Sequence, residues 1–272
     1  MQVSIKSKIA WSGLALSICG SFALWFAGLQ GKVFAAESGE RRPVLVELFT
    51  SEGCSSCPPA DALLASLDET QSVAGARVIV LSEHVTYWDR LGWRDPFSLD
   101  AMTRRQQQYG QRFGLDDVYT PQAVIDGAAQ LVGSDQRGLR RDIAQAAEAS
   151  KIDLKIESVQ VSRATIQFKV RVAGGGTGQS TDLVAALAED AVQSSVARGE
   201  NAGRTLRHVA VVRTMQSLGS GAEDGRSLAL RLPDVIAKGE PKTHHSVRLV
   251  VFLADKKTGR VLGVDEQAIQ TE

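Results

Sequence analysis

One run constrains this chain more than any other: VELFTSEGCSSCPPADALL, which places Cys54 and Cys57 between an apolar stretch and two consecutive prolines. Ahead of the cysteines the apolar residues do not alternate with polar ones, which predicts a strand covered on both faces. Behind them, Pro58 and Pro59 fit a helix only in its first turn, where a missing N–H costs nothing. Residues 60–67 then carry helical spacing. The two sulfurs are thereby fixed at a helix N-terminus, where unpaired backbone N–H groups favour a thiolate on the first of them. An accessible, reactive Cys54 with Cys57 as its partner is the expectation.

The flanking pattern extends this to a fold. RVIVLS at 77–82 reads as a second buried strand, giving strand, helix, strand and a right-handed parallel crossover. A long loop, HVTYWDRLGWRDPF, leads to a helix with Ser98 as N-cap and Gly114 as its left-handed end. VYTPQAVIDGAAQLV follows, with Asp126-Gly127 as a two-residue hairpin turn, and Ser134 and Asp135 open a last helix reaching about Ser150. Beyond Lys151 the chain changes to short β-leaning runs between polar or glycine-rich turns, the signature of an antiparallel sandwich. The expected organisation is an α/β domain over 44–150 followed by an all-β, sandwich-like domain over 151–272, with a linker at 36–43.

The N-terminal 35 residues are read separately. Lys6 and Lys8 precede an uncharged apolar run over 9–29 and the small-residue pattern VFAAES, which is the form of a secretory signal or, if retained, an anchor. Both readings export the remainder to a periplasmic or extracellular setting, with membrane contact only if the segment is kept. Cys19 lies inside this run and takes no role. Cys54 and Cys57 are then the two cysteines left in an oxidising compartment, where they are expected to pair. The 31 basic residues balance the 31 acidic ones, so no global field recruits nucleic acid. RTLRHVAVVR reads as one alternating strand with a wet face rather than as a nucleic-acid patch.

Residues 44–150 resemble a thioredoxin fold: strand, CxxC at a helix start, strand, helix, then a Thr-Pro pair leading into a hairpin and a final helix. The whole chain resembles the exported thioredoxin-like family known as domain of unknown function 1223, through VELFTSEGCSSCPPAD, HVTYWDRLGWRDPF, VYTPQAVIDG and GENAGRTLRHVAVVR. The resemblance implies a cis bond at Thr120-Pro121, with Pro121 facing the dithiol and Thr120 free to pair with an extended substrate. It also implies a buried carboxylate that takes the proton of the second cysteine. Glu47, seven residues ahead of Cys54, is the candidate. Gly53 in place of an aromatic and Ser55-Ser56 in place of Gly-Pro depart from thioredoxin, so no redox potential carries over.

The chemistry this predicts is thiol–disulfide exchange with a protein or small-molecule partner and a reductant or oxidant of unassigned identity. Cys54 attacks or is attacked, and Cys57 resolves the mixed disulfide. His84, Tyr87, Trp88 and Trp93 stand after the second strand, where α/β sheets place ligands, and form a candidate substrate wall with Asp89 and Arg94 as orienting charges. No organic cofactor is called for. Two alternatives stay open: a Cu(I) carrier using Cys54, Cys57 and His84, and a non-catalytic binding protein in which the disulfide is a staple. His208, His244 and His245 have no cysteine neighbours in sequence and are given no metal.

Overall fold

In the computed structural model, residues 41–162, 164–173, 180–220, 225–237 and 246–270 are described. The segment 1–35 expected to be a signal or anchor, Cys19, most of the expected linker, His244 and His245 lie outside them. The strand ahead of the cysteines forms as β1, Arg42–Thr50, buried throughout from Val44 onward. Helix α1, Pro58–Thr70, begins on the two prolines and ends where Gln71 turns left-handed (φ 47°). The Gln71 side chain accepts from Val78 N (2.8 Å) and donates to Val78 O (2.9 Å), stitching the helix end to β2, Ala76–His84. β2 runs parallel to β1, with Val46 opposite Val80 and Thr50 opposite His84.

Helix α2, Asp100–Phe113, ends at Gly114 in the left-handed region (φ 65°), as its sequence predicts, but its N-cap is Leu99 rather than Ser98. The Ser98 hydroxyl is drawn back into the preceding loop, donating to Asp89 Oδ2 (2.8 Å) and Asp95 O (3.0 Å). β3, Gln122–Ile125, and β4, Ala129–Val132, form the hairpin around Asp126 (φ 48°) and Gly127 (φ 60°). The connecting loop has three residues, 126–128, one more than the two-residue turn expected, because Ile125 pairs with Ala129, and the positive φ values at Asp126 and Gly127 turn the chain within it. A Cβ on Gly127 would collide with Gly259 O, so glycine also permits a close approach by the second half of the chain. Asp135 caps α3, Gln136–Glu148, by accepting from Gly138 N (3.0 Å).

The second half contributes β5 (Leu154–Val161), β6 (Thr165–Val172), β7 (Thr181–Glu189), β8 (Val192–Ser195), β9 (Thr205–His208), β10 (Val211–Ser220), β11 (Arg226–Arg231), the short α4 (Asp234–Ala237), β12 (Ser246–Asp255) and β13 (Val261–Gln270). RTLRHVAVVR is not one strand: Ala210 (φ 47°) breaks it, so β9 pairs with β8 while β10 joins the main sheet.

That main sheet has eight strands in the order β13-β12-β7-β10-β2-β1-β3-β4. It therefore runs across the boundary expected near Lys151: β10 lies parallel to β2, with Val211 opposite Ser82. A buried cluster joins the halves, packing Val44, Leu48, Val78 and Val80 with Ala186, Val212 and Phe252. A second sheet, β11-β6-β5, lies on the β7–β12–β13 part of the first, burying Phe168, Leu183, Ala185, Leu187 and Leu249 between them. The described residues belong to one compact unit, and among them no helix is long and apolar enough to cross a membrane.

Candidate functional site

Cys54 and Cys57 form a disulfide (Cα–Cα 5.4 Å), and Cys57 is the N-cap residue of α1. The sulfurs are not open to solvent as expected: both cysteines are 0 % exposed. The cover comes from the loop between β8 and β9. Asn201 Nδ2 donates to Glu52 O and Cys54 O, both at 2.9 Å, and Ser55 N donates to Glu200 Oε2 at 3.0 Å. Ser55 and Ser56 remain exposed beside the covered pair. A local reading of the CxxC motif has no access to this loop, because its residues lie far downstream.

The Thr120-Pro121 bond is cis, and Pro121 packs near the start of α1: a Cβ on Gly133 would sit 3.3 Å from both Ala60 Cβ and Pro121 Cβ. The aromatic loop joins the same place. Trp88 Nε1 donates to Thr120 Oγ1 (2.8 Å), and its Cβ is 3.0 Å from where Gly53 would carry one, which accounts for glycine there. Trp93 Nε1 donates to Glu52 Oε2 (2.8 Å). Tyr87 instead faces α2, its hydroxyl donating to Gln106 Oε1 (3.2 Å). Asp89 is used inside the loop, accepting from Asp95 N and Ser98 Oγ, and Arg94 is exposed.

Around the disulfide lies a group that the motif reading does not single out: Glu52, Asp61, Asp95 and His208, together with His84, all buried. His84 Nδ1 is 2.7 Å from Asp95 Oδ2, which also accepts from Glu52 N (2.8 Å). His208 Nε2 is 3.2 Å from Glu52 Oε1, and the two imidazole rings meet edge to face at 4.6 Å. Burial opposes ionisation of Asp95, but the charge and hydrogen bond of His84 and the amides of Glu52 and Phe97 outweigh it and hold the carboxyl at about 2. Burial likewise opposes ionisation of Glu52, and hydrogen bonds from His208, Ser194 and Trp93 bring it below its ordinary value. Asp61 goes the other way: burial pushes it up to about 6, against the pull of His208. Thr50 Oγ1, Asp61 Oδ1, His84 Nε2 and His208 Nδ1 have no hydrogen-bond partner of normal geometry. Such buried orphans each cost on the order of 1–3 kcal/mol.

Asp61 therefore sets a pH dependence with a definite sign. Its proton is held more tightly in the folded state than at the ordinary value of 3.8, so its favourable contribution is complete below that value and lost as pH rises through about 6. An Asp61→Asn variant lacks that loss. Relative to the parent it is expected to gain about 3 kcal/mol above pH 7 and nothing near pH 3.5, read from urea midpoints across pH.

Glu47 does not join this group. Strand residues alternate faces, so Glu47 and Thr50, three apart on β1, point to opposite sides. Glu47 Oε1 accepts from Arg105 Nε (2.7 Å) and its Oε2 from the Tyr109 hydroxyl (2.6 Å), beside the equally buried Glu83. The assignment of Glu47 as proton acceptor for Cys57 is corrected on this ground. Among the described residues no group of three or more His, Cys, Asp or Glu side chains is arranged to hold a metal ion.

The sequence does carry signals for the missed residues: Asp61 falls four residues after Cys57, and His208 lies in GENAGRTLRHVAVVR. A family model described as "Protein of unknown function (DUF1223)" matches residues 45–253. The crystal structure of protein AGR_C_4864 from Agrobacterium tumefaciens is similar at 27 % identity and TM-score 0.61, covering 85 % of this chain and 95 % of that one. A domain of the outer membrane lipoprotein Omp28 from Porphyromonas gingivalis aligns at 16 % identity and TM-score 0.27, over 45 % of this chain and 89 % of that one. No curated protein matches.

Proposed function

The chain belongs to the DUF1223 family of proteins of unknown function, so membership supplies no activity, and we propose from the site itself that it is an exported thiol–disulfide oxidoreductase of thioredoxin-like architecture. The observation that carries this reading is the placement of the Cys54–Cys57 disulfide at the start of α1, among buried acids and imidazoles with unpartnered atoms. A staple gains little here: loop entropy gives about 2 kcal/mol for a ring this short. The neighbouring orphaned polar atoms work against the fold. In this reading Thr120, with the Trp88 indole hydrogen-bonded to it, faces the substrate.

In the proposed reaction Cys54 forms the mixed disulfide and Cys57 resolves it. The loop carrying Glu200 and Asn201 must move aside first. Asn201→Ala removes two hydrogen bonds worth about 1 kcal/mol each, so alkylation of Cys54 in the reduced protein is expected to quicken by roughly 10- to 30-fold. The direct test of the function is turnover: the protein should accelerate reduction of a disulfide-bonded peptide by dithiothreitol, and absence of any acceleration would refute it.

The reading of an inert staple draws on one observation, the complete burial of both cysteines. It predicts thiols that stay unreactive even in the Asn201→Ala variant.

A further inference from the structure

Opening and closing a disulfide moves protons as well as electrons, and the chain places a distinctive pair of groups next to the resolving sulfur. Cys57 already has helical backbone angles (φ −78°, ψ −38°), and Asp61 N donates to Cys57 O at 3.1 Å. Residues four apart on a helix share a face, with Cβ atoms about 5–6 Å apart, and both of these are buried. Asp61 has the Thr50 hydroxyl beside it, its Oδ1 makes no hydrogen bond of normal geometry, and its Oδ2 is 3.8 Å from His208 Nδ1. Asp61 also lines a cleft of about 550 Å³ between α1 and β9, with Pro58, Glu69, Thr205 and Arg207 along its walls. Asp61 itself is 6 % exposed, so it stands at the floor of that cleft rather than in solvent.

Resting on the oxidoreductase reading, we infer that Asp61, backed by His208, is the proton-exchange group of Cys57, and that the cleft between α1 and β9 is its route to water. As the mixed disulfide resolves, the Cys57 S–H bond breaks and its proton passes to Asp61. The Cys57 sulfur bonds to that of Cys54, and the substrate sulfur leaves as a thiolate that is protonated from solvent. The substrate disulfide gains two electrons and the cysteine pair loses them. In the reverse direction Asp61 returns the proton to the Cys57 sulfur as the disulfide opens. His208 comes from the second half of the chain, so the site needs both halves. The other titratable or charged groups around Asp61 are Glu52, Asp95, His84, Glu69 and Arg207.

The test uses the full reduced protein and oxidised glutathione as the disulfide, with both steps followed by acid quenching and mass spectrometry. In the parent, resolution of the glutathione adduct should quicken as Asp61 ionises. Asp61→Asn should slow resolution at neutral pH by at least about 10-fold, within the range for general-base loss, and remove that part of the pH profile, so that the adduct on Cys54 accumulates. His208→Gln should move the profile to higher pH. An unchanged resolution rate and profile in Asp61→Asn would overturn this assignment alone. A parent that forms no adduct would overturn the oxidoreductase reading and this inference with it.

Discussion

With Cys57→Ser, the reduced protein is expected to stop at the mixed disulfide: oxidised glutathione adds to Cys54 and stays there, whereas the parent releases both glutathiones and closes its own disulfide. Cys54→Ser should form no such adduct, because the sulfur that attacks in the proposed reaction is gone. The difference is all or none in the mass spectrum of intact protein. Both variants should remain folded, since the ring spans a sequence separation of only 3 and its closure contributes about 2 kcal/mol at most. If the two variants behave alike, the division of roles between the sulfurs is wrong.

Arg105→Ala is expected to be the most damaging single change to stability. Arg105 sits between Glu47 and Glu83, each 0 % exposed, and its guanidinium also lies over the Tyr109 and Phe252 rings at 5.1 and 5.3 Å. Removing one partner of a buried ion pair leaves uncompensated charge, at a cost of roughly 3–5 kcal/mol. Burial and the neighbouring Glu47 already push Glu83 well above its ordinary value, and Arg105 opposes that push. Without the cation Glu83 binds its proton still more tightly in the folded state, so the variant's deficit should be constant while Glu83 is protonated in both proteins and grow once pH passes the raised value at which the parent's Glu83 ionises. Urea midpoints read the deficit directly, and a variant as stable as the parent would contradict the account.

How far the sequence carries depends on the range of each signal. The strand before Cys54, the proline-led helix, the Gly114 end and the Asp126-Gly127 turn are local: a few residues decide each through φ preference or a missing N–H, and the structure has all of them. Ser98 shows the limit of a local rule, since a hydroxyl able to cap a helix is claimed instead by Asp89 nine residues earlier. The continuous sheet depends on Val211 meeting Ser82, a pairing that no window of sequence contains. The same holds for the site. Cys54, Cys57, Thr120, Pro121 and Trp88 are legible from motifs, while Asn201 and His208 reach the cysteines and Asp61 only through long-range folding. Glu47 fails as the proton acceptor because spacing from Cys54 does not say which face of β1 a residue occupies.

The central claim is that the Cys54–Cys57 pair is a working redox couple rather than a fixed staple, and its reduction potential tests this most directly. Equilibration of the full protein with glutathione buffers, followed by alkylation and mass spectrometry, gives the value. The account predicts a potential between about −120 and −270 mV, the span of disulfide oxidoreductases. A value below about −300 mV, where structural disulfides lie, would contradict it.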